Sequence, residues 1–395
     1  MRKIASISFP IILMGFLVGL PALTTDIYLP GFPALTKFFG TSASEIQISL
    51  MATMIGIATG QLIIGPLSDK YGRKSTLWIS LLLFLFSTLL CIYSKNVQAF
   101  IVFRFIQGFS CSGGMVISRA VLTDTYSGQD FSRALSVNTA ILGFTPAVAP
   151  ILGGIILTFA PWQGEFVFLL GMGLIFLFCS LGLKESLPRE KRNSDLSNNM
   201  INNLLVTLKN KTFLLYVLIF SFSMSVLFAF ISSSPFIFQE YYKLSPLVYS
   251  LFFGTNTIAI TAGTLLSSCF KNERKTLYFG ASGLLIMSII TSLILILVNS
   301  YIIFEISIFI MFLFTGLINP IATAMALKSN RELAGTASAI LGASSFFFGG
   351  VMCSLAGIGN ILYATSIALN FCALLVFSMV FRFSPSYAGI KNIKS

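Results

Sequence analysis

The apolar residues of this chain occur in runs of about 20 that recur from one end of the sequence to the other. A helix of that length crosses the hydrocarbon core of a bilayer. Mean hydropathy is +0.90 and only 10% of the 395 residues are charged, far fewer than the surface of a soluble protein of this size needs. No series of short alternating segments, typical of a membrane β-barrel, stands out. The sequence therefore predicts an all-α, multi-pass membrane protein.

The apolar runs predict twelve transmembrane helices. A secretory signal is the alternative for the first run, because Arg2 and Lys3 precede it, but no small-x-small cleavage site follows, so we interpret it as a retained helix. The predicted spans are residues 5–30, 45–65, 76–94, 98–121, 133–158, 164–184, 212–236, 246–268, 275–296, 301–327, 334–357 and 361–382.

The distribution of lysine and arginine predicts the orientation. With twelve spans, 21 of the 25 basic residues fall at the termini and in the loops on the same side, and three fall on the opposite side. Arg104 is the remaining one and lies within predicted helix 4. This asymmetry places both termini in the cytoplasm and accounts for the net charge of +12, so nucleic-acid binding is not implied.

The longest polar segment lies between predicted helices 6 and 7 and divides the chain into two halves. The predicted domains are a six-helix bundle at residues 1–184, a cytoplasmic central loop at 185–211 and a second six-helix bundle at 212–395. Two such halves are typical of a transporter whose cavity lies between them near the middle of the membrane.

The segment between predicted helices 2 and 3 reads GPLSDKYGRK, from Gly65 to Lys74. It resembles the pattern G-x-L-x-D-R-x-G-R-K of the major facilitator superfamily. The resemblance implies a conformational gate in which Asp69 faces the start of predicted helix 11, near Ala334, where a carboxylate is stabilised by the helix N-terminus. A short basic loop that serves only topology is the alternative.

Predicted helix 4 carries RFIQG at residues 104–108 and ends in SRAVLTD at 118–124. The first stretch resembles the superfamily pattern R-x-x-Q-G, and the second is similar to the bicyclomycin/chloramphenicol-resistance (Bcr/CflA) subfamily. Arg104 is costly in lipid unless it faces water or a partner, or extends to the interface. The gate residues implied by the two motifs are Gly65, Asp69, Gly72, Arg73, Arg119 and Asp124.

Predicted helix 5 reads FTPAVAPILGG at residues 144–154. It resembles the G-x-x-x-G-P-x-x-G-G motif associated with drug–proton antiporters, in the APxxGG form of the subfamily. Pro146 and Pro150 favour a bend, and Gly153 and Gly154 allow close helix packing. A purely structural kink is the alternative.

A fourth resemblance is TTDIYLPG at residues 24–31, similar to a segment of the same subfamily. All four matches lie in the amino-terminal half. Together they imply the major facilitator fold, with twelve helices in two pseudo-symmetric six-helix bundles.

Asp26 is a carboxylate at the outer part of predicted helix 1, and Arg104 lies at a similar depth on predicted helix 4. Contact with a cation favours the charged carboxylate, and a dry cavity favours the neutral acid. We therefore predict that Asp26 is the principal protonation site, assisted by Arg104. Glu305 is the candidate secondary site, and an interfacial helix-end residue is the alternative for Asp26. Glu165 is predicted to be an ordinary helix-start residue, stabilised by the helix dipole.

The sequence contains no histidine and no paired cysteines, so neither a metal site nor a cofactor is predicted, and an enzyme is not expected. The expected function is proton-coupled export of neutral or weakly polar drugs across a bacterial inner membrane by a monomer embedded in lipid. A major facilitator symporter that imports a metabolite is the alternative. An ATP-driven pump is not expected, because the sequence contains no Walker A loop. The predicted cavity residues are Tyr28, Met54, Gln61, Gln107, Phe230, Ser234 and Asn256.

Overall fold

The computed structural model of the chain describes residues 9–192 and 197–383. Within these residues, twelve long helices follow one another along the chain. They are α1 (Phe9–Asp26), α2 (Ala43–Tyr71), α3 (Arg73–Ile92), α4 (Val97–Thr125), α5 (Gly128–Phe159), α6 (Gln163–Leu181), α7 (Lys211–Phe236), α8 (Pro246–Cys269), α9 (Glu273–Leu297), α10 (Tyr301–Ser329), α11 (Ala334–Leu355) and α12 (Ile361–Phe383). All except α8 are long and apolar enough to cross a membrane, α1 and α7 being counted with the short segments that extend them to Phe39 and Tyr241, and α8 has a comparable length.

Most helix boundaries match the prediction within a few residues, and the largest differences have local causes. The first span, predicted over 5–30, breaks after Asp26 and continues as a 3₁₀ turn (Leu29–Gly31) and a short helix (Phe32–Phe39), because prolines enter this segment. The π-turn Ile237–Tyr241 extends α7. Part of the predicted central loop is helical, from Ser197 to Lys209, and residues 193–196 lie outside the described residues.

Serine and asparagine residues define the starts of several helices, since their side chains accept hydrogen bonds from otherwise free backbone N–H groups. Ser42 accepts from the N–H of Glu45 at the start of α2, and Asn96 accepts from that of Gln98 at the start of α4. Asn210, Ser245, Asn272 and Ser300 begin α7, α8, α9 and α10 in the same way.

Helix packing repeats after six helices. In the first half α1 packs on α4 and α5, α4 packs on α2 and α3, and α3 packs on α6. In the second half α7 packs on α10 and α11, α10 packs on α8 and α9, and α9 packs on α12. This correspondence is the pseudo-symmetry expected of a transporter built from two repeats.

Two close helix crossings occupy equivalent places in the halves, and both depend on glycine. A Cβ at Gly108 on α4 would collide with the backbone of Thr53 on α2. A Cβ at Gly263 on α8 would collide with the carbonyl oxygen of Leu313 on α10. Small residues let membrane helices approach to backbone contact, which compensates for the weak hydrophobic driving force within lipid.

The bundle has two ends, which we call the motif end, where the Gly65–Lys74 loop lies, and the far end, where α1 breaks. The halves meet at the far end, where Nε2 of Gln239 donates to the carbonyl oxygen of Pro30 over 3.0 Å. Nε2 of Gln47 likewise donates to that of Ser232 over 2.9 Å. Contacts between α2 and α11 and between α5 and α8 continue from there toward the middle.

Candidate transport site

Arg104 is fully buried where α4 meets α1. Its Nη2 donates a hydrogen bond to the carbonyl oxygen of Thr24 over 3.1 Å, and its Nη1 donates to Oε1 of Gln107. Nε2 of Gln107 donates in turn to Oγ1 of Thr88 on α3 over 2.7 Å. Arg104 therefore links three helices, and among the described residues no carboxylate lies within ion-pair distance of it.

Aromatic rings supply the rest of the environment of Arg104. Its Cζ lies 3.9 Å from the ring centroid of Tyr28 and 5.5 Å from that of Phe166 on α6. Such cation–π contacts are worth about 2 kcal/mol or more when desolvated. The hydroxyl of Tyr28 lies 3.4 Å from Oγ of Ser49 on α2. The buried charge is thus stabilised by a backbone carbonyl, an amide and two rings.

Asp26 is the last residue of α1 and is only 5% exposed. Its Oδ1 accepts a hydrogen bond from Oγ1 of the neighbouring Thr25 over 2.8 Å. It does not contact Arg104 in this conformation, and the described residues place no other cation within ion-pair distance. A carboxylate in this position is costly to keep ionised, since it is buried and no cation of the described residues offsets its burial.

Tyr249 on α8 is a buried polar residue of the second half. Its hydroxyl lies 3.0 Å from Oγ of Ser234 on α7. Glu305 is 6% exposed near the start of α10, and its Oε1 accepts from Oγ1 of Thr255 over 3.0 Å. Asp26 and Glu305 are therefore two buried carboxyl groups that belong to different halves.

A cavity of about 580 Å³ lies between the halves, bounded by α5, α7, α8 and α10. Aliphatic and aromatic side chains form most of its wall, including Phe144, Phe230 and Phe312. Its side-chain polar groups are threonine hydroxyls and the amide of Asn256, and no charged residue of the described chain lines it. Both its volume and its mostly apolar wall are typical of small-molecule sites.

Of the seven side chains predicted to line a cavity, Phe230 and Asn256 lie on this wall. The other five are buried between helices in this conformation: Tyr28, Met54, Gln61, Gln107 and Ser234. Their contact with a substrate stays a prediction.

The glycines of the α5 motif face two different helices. A Cβ at Gly153 would collide with the carbonyl oxygen of Ile27 at the break of α1. A Cβ at Gly154 would lie 2.5 Å from Oγ of Ser250 on α8, in the other half. The pair therefore lets α5 pack closely on α1 and on α8 at the same level of the bundle. Both prolines of the motif are accommodated within one continuous helix.

The loop at the motif end is held by polar contacts within the first half. Arg73 pairs with Oδ2 of Asp124 at 3.0 Å and with Oδ1 of Asp69 at 2.5 Å. Glu185, which follows α6, accepts from the backbone N–H of Arg73 over 2.9 Å. Gly72 has φ 96°, and a Cβ there would lie 2.5 Å from Oε2 of Glu185. Two separate reasons, backbone conformation and space, thus favour glycine at position 72.

The predicted gate contact with α11 is absent from this conformation of the described chain. The carboxylate of Asp69 is half exposed, and nothing lies within 4 Å of a Cβ built at Gly335, near the start of α11. Arg119 is exposed and makes no ion pair within the described residues, and Gly65 faces Val116 on α4. The gate stays a prediction for a conformation in which the motif end is closed.

The sequence reasoning missed the positions of two acidic residues. Glu165 is fully buried, and both of its carboxylate oxygens lack a hydrogen-bond partner among the described residues. One feature of the sequence could have indicated this burial: Glu165 is a single acidic residue directly before a long apolar run. Glu185 was assigned only to the start of the central loop, where nothing in the sequence indicated that it contacts the start of α3.

The sequence model of the Major Facilitator Superfamily matches residues 12–354. YdgK of Bacillus subtilis (strain 168), an uncharacterized MFS-type transporter, is 34% identical over 375 residues, 93% of each chain. A bicyclomycin resistance protein homolog of Haemophilus influenzae is 29% identical over 98% of this chain and 97% of its own. Multidrug resistance protein MdtL of Salmonella heidelberg is 30% identical over 62% of this chain and 61% of its own.

Solved structures share the architecture. The xylose transporter XylE from E. coli, in a partially occluded inward-open conformation, superposes with a TM-score of 0.74 at 15% identity over 96% of this chain and 98% of its own. A bacterial homolog of the human lysosomal transporter Spinster, inward-facing and unoccupied, gives 0.72 at 14% identity over 96% and 95%. At these identities the likeness shows the fold alone, and it confirms the predicted twelve-helix, two-bundle fold.

Proposed function

Because this chain belongs to the major facilitator superfamily, we propose that it exports small organic antibiotics in exchange for protons. The family and the relatives are membrane transporters and not enzymes, so we start from small-molecule transport. The drug class is suggested by the relatives named for bicyclomycin and multidrug resistance. The uncharged, mostly apolar wall of the cavity also favours neutral or weakly polar compounds.

The observation that carries the proton coupling is the burial of Asp26 at the interface of the halves. It has one hydrogen bond and no cationic partner within the described residues, so its protonated form is suited to this conformation. When the far end opens, water reaches the break of α1 and Asp26 exchanges its proton with the outside. Glu305, on the other half, is the candidate second carboxyl group in the same exchange.

The distribution of charge supports an orientation with the motif end in the cytoplasm of a bacterial inner membrane. With that orientation, the contacts at the far end close the outward path, while the cavity between α5 and α8 lies toward the cytoplasm. A drug enters there, the halves rock, and release to the outside follows. The two halves, predicted at 1–184 and 212–395, are the moving bodies of this proposal.

A proton-movement assay in inverted membrane vesicles tests the proposal. A growth-inhibition screen of antibiotic classes, with and without expression, first identifies an exported compound, starting from chloramphenicol. Adding that compound to energised vesicles with an acidic lumen is expected to make the lumen more alkaline, because protons leave as the drug enters. Acidification of the lumen on addition of the drug would instead identify a symporter, and no proton movement would exclude coupling.

A further inference from the structure

Glu165 belongs to the first turn of α6, but the start of this helix does not stabilise its carboxyl group. Acidic residues in a first turn are normally stabilised there by free backbone N–H groups and the helix dipole. Neither carboxylate oxygen of Glu165 accepts a hydrogen bond from any described residue, although the side chain is 0% exposed. A carboxyl group buried in this way is expensive and calls for a functional explanation.

Glycines on two neighbouring elements provide the space that this carboxyl group occupies. A Cβ at Gly31, in the 3₁₀ turn after the break of α1, would lie 2.5 Å from Oε2 of Glu165. A Cβ at Gly153, in the α5 motif, would lie 3.2 Å from Oε1. The carboxyl group is therefore enclosed by α1 and α5, the two elements that pack together beside the contact between the halves.

The buried cation near Glu165 is Arg104 of α4. The two side chains are not within ion-pair distance, and the ring of Phe166 lies against Arg104 next to Glu165 in sequence. At the break after α1, Tyr28 faces Arg104 and directs its hydroxyl to Ser49, and α5 presents the backbone of Gly153. A small movement of the Gly31 turn or of α5 would therefore change the space open to the Glu165 carboxyl group, and with it the distance that this group can keep from Arg104.

We propose that Glu165 is a further proton-carrying residue of the transport cycle, in addition to Asp26, neutral in this conformation and ionised when it approaches Arg104. This inference rests on the proposed function. On ionisation the carboxyl O–H bond breaks, the proton passes to water, and the carboxylate left behind is neutralised electrostatically by the guanidinium. The reverse step takes one proton back, so the residue transfers one proton per cycle without any other reactant.

Infrared difference spectroscopy of the purified, lipid-reconstituted full chain tests this with protons as the probe. Spectra recorded between acidic and alkaline pH show the C=O stretch of carboxylic acids that lose their protons. Glu165→Gln is expected to lose one such band that the wild type has. Glu45→Gln is the matched control, because Glu45 also lies in a helix first turn but is partly exposed and accepts from Gln98. It should keep the particular band that Glu165→Gln loses. A wild-type spectrum for Glu165→Gln would overturn the proposal.

A second variant keeps the test decisive if Glu165→Gln does not fold. Gly31→Ala adds a methyl group next to Oε2 and leaves the acid in place. It is expected to shift the pH midpoint of the same band, and an unshifted midpoint would overturn the proposal. In vesicles, Glu165→Gln is expected to lower drug-driven proton release at least tenfold. The wild type could release no protons when drug is added to vesicles, while the infrared band assigned to Glu165 still titrates. The proposed antiport would then fail, and the proton site at Glu165 would stand.

Discussion

At the scale of single residues, the transport site depends on how one buried cation is stabilised. Arg104 has no acidic partner among the described residues, so its neighbours must supply the favourable interactions: Thr24, Gln107 and the ring of Tyr28. The sequence could single out Asp26 and Arg104, because any charge within an apolar run is conspicuous. It could not show that they are not in contact, since helices that are apolar on all sides give little indication of which face meets which neighbour.

The contribution of the Tyr28 ring can be separated from that of its hydroxyl. Tyr28→Phe keeps the ring beneath Arg104 and loses only a long contact with Ser49, so the thermal unfolding midpoint is expected to change little. Tyr28→Leu removes the cation–π contact and should destabilise the protein by about 2 kcal/mol. Unfolding of both purified variants in the same detergent measures the difference. Equal destabilisation by the two would show that the ring does not stabilise the guanidinium.

At the scale of helices, close crossings fix how the elements pack. The α2–α4 and α8–α10 crossings bring backbones together at glycines, and the α5 motif does the same toward α1 and α8. From sequence, the number of helices and the packing role of Gly153 and Gly154 were predictable, because apolar run length and paired small residues carry that information. The position of the break of α1, after Asp26, was not predicted, although Pro30 and Pro33 indicated that the helix could not continue unchanged.

Alanine substitutions test the helix crossings against a matched control. Gly108→Ala would force a methyl group into the backbone of Thr53, which should cost about 1–3 kcal/mol and reduce the yield of folded protein. Gly171→Ala lies in α6, where no described atom lies within 4 Å of the added carbon, so it should be neutral or slightly stabilising. Thermal unfolding of the two variants checks this. Similar stability of both would mean that the α2–α4 crossing is not closely packed.

At the scale of the whole molecule, contacts between the halves determine which end is open. In this conformation the hydrogen bonds from Gln47 and Gln239 join the halves at the far end, while Asp69 at the motif end is free of α11 among the described residues. The twelve-helix, two-bundle fold was fully predictable from apolar runs and motifs. The conformation was not predictable, because the inward-open and outward-open conformations of a transporter have similar free energies and share one sequence.

Weakening the far-end contacts should change the conformational equilibrium. The double variant Gln47→Ala, Gln239→Ala removes two hydrogen bonds between the halves, about 1 kcal/mol each, which shifts the equilibrium about tenfold or more toward an open far end. Spin labels at Lys37 and Lys243, one in each half, would report this as a longer distance by double electron–electron resonance. Ser75→Ala, at the motif end within one half, is the control. An unchanged distance distribution would show that these bonds do not hold the far end closed.

The most direct test of the whole account is transport by Asp26 variants in proteoliposomes. Asp26→Asn cannot release a proton, so it should still exchange labelled for unlabelled drug across the membrane but fail to accumulate drug when a pH gradient is imposed. Asp26→Glu, which keeps a titratable group, should recover part of the gradient-driven accumulation. Full accumulation by the Asn variant, at the wild-type level and dependent on the same gradient, would contradict the claim that this buried carboxyl group couples protons to export.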